Sequence, residues 1–395
     1  MRYPCPMRID PDHVTELLAR LVRINSINPF FSAGTTDERE IAACVAEELR
    51  RIGARVEIRE PEPGRTSVLG TLPGQGGGRS LLLYAHMDTV GIGGMPEPFS
   101  AAVRDGKMYG RGTYDMKGGL AACLAAARAV AEAGVPLAGD LHVLGVADEE
   151  VASLGLYDML TVCRPDAAIV TEPTELDLCL AHKGFIWVEV ETEGRAAHGS
   201  RFELGIDANL RMGRFLGRLD ALEQQLRQRP PHPLVGPPSL HAGTLHGGTA
   251  PSIYAASCRL EIERRTVPGE TEAGCLAELQ ALADALAEAD PTFRATIRPT
   301  LTRPPFEVAP GAPIVRTVTE AATGVLGHAP AALGHSFWMD ASLLAEAGVE
   351  TVVIGAHGAG AHADEEWVDL RSVARLAEIL ARSAVAWCGA PSDTP

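Results

Sequence analysis

The sequence predicts an α/β protein: a mixed sheet with helices on both faces, and a smaller α+β domain inserted into it. Three observations carry that expectation. Short β-rich runs alternate with helical patterns in the first part of the chain, the texture shifts after Gly184 to longer alternating segments and long helices, and the first texture resumes from Ala312. A chain of 395 residues is too long for one comfortable core, which points to two domains. The expected division is 1–184 with 304–395 for the larger domain and 185–303 for the insert, with hinges at Gly184 and Arg303–Pro305.

Taken in order, Pro11–Arg23 repeats apolar residues at helical spacing, and a second helical pattern runs from Asp37 to Ile52 until Gly53 stops it. Val56–Arg59, Ser67–Thr71 and Ser80–Ala85 are short β-rich runs separated by Pro/Gly turns. Gly118–Ala133 reads as a buried helix that feeds the strand Asp140–Val146. In the insert, Phe185–Glu193 and Ser257–Arg265 alternate as strands, Leu204–Arg229 and Glu270–Glu288 are helical, and Phe293–Pro299 is a strand, for two helices and about four strands in all. The final part holds a helix from Ala312, the apolar strand Glu350–Gly355, a Gly/His-rich loop and the closing helix Leu370–Ala386.

Hydrophobic residues at 46% and charged residues at 22% describe ordinary globular composition and disfavour disorder, collagen and coiled coil together. The balance of 35 basic against 51 acidic side chains leaves −16, which repels phosphate, so no nucleic-acid partner is expected; a surplus of carboxylates suits divalent cations. The opening MRYPCPMRIDPDH lacks an apolar signal region and no run is long enough to span a bilayer, so neither a signal peptide nor a membrane partner is expected. The eight cysteines, at 5, 44, 123, 163, 179, 258, 275 and 388, contain no C-x-x-C pair. They fit a reduced, cytoplasmic protein without a disulfide framework or a cysteine zinc site.

The chemistry concentrates after strands. In LLLYAHMDTV, His86 and Asp88 lie two residues apart and project from one face at the carboxyl end of a strand, where open α/β sheets place ligands. An imidazole there suits zinc, although a lone histidine would also suit a satisfied strand end. In GRGTYDMKGG, Asp115 precedes a helix; by itself it would read as an N-cap, yet its two oxygens can bridge two ions. Asp148, Glu149 and Glu150 follow the strand LHVLGVA, and adjacent carboxylates repel unless a cation relieves them. Glu172 ends DAAIV, and His362 lies in GAHGAGAHADEEWV after TVVIG. Two-metal hydrolases hold ions ~3.5–4 Å apart with such donors.

These segments resemble the dinuclear zinc amidohydrolases that include acetylornithine deacetylase, succinyl-diaminopimelate desuccinylase, aminoacylase and glutamate carboxypeptidase. The resemblance covers almost the whole chain. It implies two Zn2+ per chain, with Co2+ or Mn2+ able to substitute: His86 and Glu172 on one, Glu150 and His362 on the other, Asp115 bridging. It implies that Glu149 is the general base, that Asp88 supports the first histidine, and that the Asp115–Met116 peptide is cis. RAAHGS resembles the segment whose histidine, here His198, reaches a neighbouring active site and stabilises the oxyanion, so a homodimer through a ferredoxin-like inserted lid domain is implied. Arg265 in EIERRTVPGE matches an arginine able to meet a substrate carboxylate, but Glu263 replaces the family's aspartate and GGTAPSIYAASC replaces an asparagine-containing stretch. TEPTELDLCLAHKG is close to the acetylornithine deacetylase segment, whereas SFWMDA departs from a G-T-D-A-type segment. Phe337, Trp338 and Met339 are then either core or the lining of an apolar pocket.

Other motifs fail. LPGQGGGR lacks the lysine and the helix of a phosphate loop, and no G-x-S-x-G elbow exists. His182, His241, His246, His335 and His357 receive no role. The reading is a metal-dependent hydrolase acting on a small N-acyl amino acid or dipeptide-like substrate; a carboxypeptidase or dipeptidase shares the same core. A catalytically silent ligand-binding relative predicts broken metal positions, and none is broken. An acidic metal-storage protein predicts repeated carboxylate clusters, and the sequence has one.

Overall fold

The computed structural model describes residues 7–389, so Cys5 and the opening residues of the chain lie outside it. Two compact units account for the described residues: 7–180 with Val308–Leu333 and 339–389, and Ala181–Glu307 with Gly334–Trp338. The segment 185–303 falls within the second unit, which also takes in 334–338 of the SFWMDA region.

The first unit is built on a mixed sheet in which Arg55–Arg59, Ser67–Leu72, Leu141–Val146, Leu81–His86, Ala167–Val170 and Glu350–Val353 lie side by side in that order. Strands 81–86, 141–146, 167–170 and 350–353 run parallel, while the outer pairs are antiparallel. All six residues of Leu81–His86 and of Leu141–Val146 are buried, as strands covered on both faces must be. Pro11–Arg23 starts under an Asp10 cap and packs Val14, Leu17, Leu18, Leu21 and Val22 inward, one apolar stripe at helical spacing. Gly118–Glu132 is Ala-rich and buried along nearly its whole length, and the closing helix Leu370–Cys388 packs against it.

A second, small sheet went unseen in the sequence because its strands have two or three residues, too few for an alternation to register. Its order is Gly358–Ala359, Trp367–Asp369, Lys107–Tyr109 and Ala102–Arg104. This sheet joins the C-terminal Gly/His-rich loop to the segment that leads into Asp115.

The second unit has the order strand, helix, strand, strand, helix, strand of a ferredoxin-like unit. Its antiparallel sheet is ordered Ser239–Gly247, Ser257–Thr266, Gly184–Glu193, Ala295–Arg303. One face, with Ile186, Val188, Val190, Leu260 and Ile262, forms a core with Phe215, Leu219 and Leu279 of the helices Ala208–Arg227 and Glu272–Ala289. On the other face Glu189 is nearly buried between Arg259 and Arg298. The first helix begins four residues later than its apolar pattern suggests, because the Asp207 side chain accepts from the Asn209 and Leu210 amides and sets the start there. Among the described residues no helix is long and apolar enough to cross a membrane, and the seven cysteines are free thiols.

Candidate metal centre

Strand register brings the site residues to one edge of the first unit's sheet. His86 pairs with Val146, so those two parallel strands end at one level, while Val170 pairs with Tyr84 and its strand ends two residues earlier; the turns that follow hold Asp88, Asp148–Glu150 and Glu172. Asp115 sits in the turn ahead of Gly118–Glu132, and its peptide bond to Met116 is cis. Gly119 lets that helix lie against Thr171, where a side chain would collide, and Gly355, beyond the strand Glu350–Val353, likewise lets its backbone lie against the Glu172 carbonyl. His362 comes from the loop between Gly358–Ala359 and Trp367–Asp369, with φ of 61°.

Asp115 joins the two halves of the cluster. Its Oδ1 lies 3.1 Å from His86 Nε2 and its Oδ2 lies 3.2 Å from His362 Nε2. Glu172 Oε1 stands 3.7 Å from His86 Nε2, and Glu150 Oε2 stands 3.2 Å from His362 Nε2. Among the described residues two groups of donor atoms converge within 4.8 Å, His86–Asp115–Glu172 and Asp115–Glu150–His362. All five expected ligands are therefore brought together, one histidine and one glutamate on each side of a shared aspartate.

The electrostatics favour cations. Burial raises Glu172 and Glu149 well above the ordinary carboxylate value and raises Glu150 too, with the Asp115 charge adding for Glu172 and Glu150 and the Glu172 charge adding for Glu149. Burial works against ionisation of Asp115 too, but hydrogen bonds with His362 and His86 hold it well below the ordinary value. Hydrogen bonds to Asp115 and Glu150 raise His362 to about 10. Burial favours the neutral ring of His86, yet the Asp115 hydrogen bond and the charges of Glu172 and Glu149 outweigh it and raise its pKa. Four crowded carboxylates thus draw protons onto the two histidines, and Glu150 Oε1 is buried without a hydrogen-bond partner. Nitrogen and carboxylate donors in this ratio fit divalent cations, which neutralise the same charge without protons.

Asp88 meets His86 chiefly through its backbone. His86 Nδ1 meets the Asp88 backbone carbonyl at 2.9 Å, leaving Nε2 to face the cluster, while the Asp88 carboxylate is 3.6 Å from Nδ1. That carboxylate accepts from the Glu149 amide at 3.1 Å, the Glu150 amide at 3.3 Å and Asn28 Nδ2 at 2.9 Å. Asn28 also donates to Asp148 at 2.9 Å, and the buried Arg65 pairs with Glu38. Glu175 accepts from the Tyr114 hydroxyl at 2.6 Å and pairs with His357, tying down the loops of Asp115, Glu172 and His362. Sequence reasoning missed Asn28, Arg65, Arg111, Glu175 and Glu366. For Asn28, Arg65, Arg111 and Glu175 the one available signal was composition, an asparagine or charged residue in a segment otherwise buried; Glu366 follows a run of exposed residues and carries no such signal.

His198 and Arg265 belong to the second unit. His198 is exposed and its Nδ1 lies 2.8 Å from Ser200 Oγ. Arg265 pairs with Glu263 at 2.8 Å and lies over the Phe185 ring, so the residue that departs from the family pattern engages it. Met339 is core at 1% exposure, and Trp338 donates to the Pro304 carbonyl beside His182 and Phe185. Phe337 remains 44% exposed against His335.

Residues 82–386 match peptidase family M20/M25/M40. The chain is 31% identical over 339 residues to an acetylornithine deacetylase of Myxococcus xanthus, covering 82% of this chain and 85% of that protein. In fold it is similar to a tripeptidase of Staphylococcus aureus, with a TM-score of 0.77 and 21% identity over 96% of this chain and 99% of that one. It is also similar to an M20 metallo-carboxypeptidase of Sulfolobus solfataricus, with a TM-score of 0.74 and 18% identity over 94% and 98% of the two chains. A dinuclear metal-binding M20 peptidase of Bacillus subtilis gives a TM-score of 0.71 and 15% identity over 95% and 98%.

Proposed function

This chain belongs to peptidase family M20/M25/M40, and we propose that it is a two-metal deacylase cleaving the amide bond of N-acyl amino acids. Membership makes it an amidohydrolase; the deacylase reading is supported by the 31% identity to an acetylornithine deacetylase. The observation that carries the site is Asp115, whose two oxygens face His86 and His362 separately. His86 and Glu172 would hold one ion and Glu150 and His362 the other, with Zn2+ the proposed metal and Co2+ or Mn2+ as substitutes. When bound, such ions polarise a carbonyl oxygen and lower the pKa of a shared water.

The chain's own groups then divide the work. Glu149, whose burial and proximity to Glu172 raise its proton affinity, accepts the proton of the attacking water and returns it to the leaving nitrogen. Asp88 fixes the backbone on which Glu149 and Glu150 stand. His198 donates to the developing oxyanion and Arg265 meets the substrate carboxylate. A homodimer through the second unit, in which His198 serves the other copy's site, completes the proposal. A cytoplasmic location is supported by the seven free thiols among the described residues.

A hydrolysis screen over N-acetyl, N-succinyl and N-formyl amino acids, with dipeptide controls, tests this reading. Amine release from an acyl amino acid, with about two metals per chain by elemental analysis and loss of turnover on chelation, is expected. Turnover confined to dipeptides would make it a peptidase. Turnover indifferent to chelation would overturn the metal site.

A further inference from the structure

The ligands of the centre are not held equally. His86 is the last residue of a buried parallel strand, and Glu172 follows another, Ala167–Val170, by two residues and is itself buried. His362 is carried by a loop, has a left-handed backbone and leaves 53% of its side chain exposed. Asp115 lies in a turn with non-helical dihedrals. Something outside the sheet must set the distance between these two.

Arg111 and Glu366 occupy that position, each 1% exposed. Glu366 Oε1 accepts from the Tyr114 amide at 2.9 Å and from the Asp115 amide at 3.1 Å, and Oε2 accepts from the Gly112 amide at 3.0 Å. The Arg111 guanidinium donates to Glu366 Oε2 at 2.7 Å, to the carbonyl of Ala363 at 2.8 Å and to that of Gly91 at 3.0 Å. Ala363 follows His362 directly. An unbroken path therefore runs from the Asp115 amide through Glu366 and Arg111 to the residue beside His362, and a planar guanidinium with five fixed donors suits such a brace.

We propose that Arg111 and Glu366 form a positioning pair that sets the spacing of Asp115 and His362, and so the affinity of the Asp115–Glu150–His362 group for its cation. The pair touches no proposed ligand side chain and acts through the backbone. The inference rests on the reading of the centre given above, and the two fail in different ways.

Chelator-stripped protein is titrated with Zn2+ by calorimetry, and its melting temperature is recorded without metal. Wild type is expected to bind two ions. Glu366→Gln, which removes the charge and one acceptor oxygen, is expected to weaken one ion ~10–100-fold and leave the other near wild type. Should the single variant fail to fold with Arg111 left unpaired, the double variant Arg111→Met/Glu366→Gln has no buried charge to strand and carries the test. In it, a melting temperature close to that of wild type with one ion still weakened separates positioning from mere stability. Wild-type affinity for both ions in a folded variant, or equal weakening of both, overturns the inference. Wild type that binds no Zn2+ overturns the reading of the centre and the inference with it.

Discussion

Glu149 and Glu150 are neighbours in the chain with different surroundings. Glu150 Oε2 faces His362, whereas Glu149 is enclosed by the charges of Glu172, His86 and Asp340. Glu149→Gln is therefore expected to keep both metals and the fold while kcat falls ~10²–10⁴-fold, since an amide cannot accept the water's proton. Elemental analysis beside kcat checks it, and near-normal turnover would remove Glu149 from the role. A second residue links structure to pH away from the centre. His142 is buried in Leu141–Val146 with Nδ1 3.0 Å from Thr71 Oγ1, and burial lowers its pKa below 6.5. Because the folded value is the lower one, the unfolded chain takes up the proton first. Stability is full above pH ~6.5 and declines as pH falls from there towards the lowered folded value. Urea unfolding at pH 7.5 and 5.5 should show a larger acid loss for wild type than for His142→Gln; equal losses would contradict it.

At the scale of elements, the start of Ala208–Arg227 depends on one side chain. Asp207 accepts from the Asn209 amide at 2.9 Å and the Leu210 amide at 3.2 Å. Asp207→Ala should cost ~0.5–2 kcal/mol in urea unfolding, while Asp207→Asn should cost less because its oxygen still caps. The same cap explains why the apolar pattern from Leu204 overran the helix: Leu204 is 54% exposed and belongs to the loop before it. Patterns with enough repeats were legible, as at Pro11–Arg23, where the expected and observed bounds coincide. The strand expected to end at Pro299 continues to Arg303, because a register shift between Pro299 and Leu301 lets the ladder pass a residue that has no amide to donate. No local pattern reports that accommodation.

The whole molecule raises the question of which chain completes each site. Under the proposed homodimer, His198→Ala and Glu149→Gln should each be nearly inactive, since loss of an oxyanion donor typically costs ~10²–10³ in rate. A mixed dimer of the two, isolated with two tags, should recover about half of wild-type activity because one site regains both groups. A mixed dimer as inactive as its parents would place His198 in its own chain's site or in none. By itself the sequence determined the mixed α/β class, the period and polarity of the long elements, and the residue types that follow each strand. Those depend on repeats within a few residues, where backbone geometry dictates which way side chains project. The tertiary structure alone decided that Asp115 meets His86 with one oxygen and His362 with the other, that the Asp88 carboxylate holds the backbone of Glu149 and Glu150, and that Arg111 and Glu366 brace the cluster. Each of those contacts joins segments far apart in the chain, through strand register and a small sheet of two- and three-residue strands, and such pairings leave no periodic trace in the residues that make them.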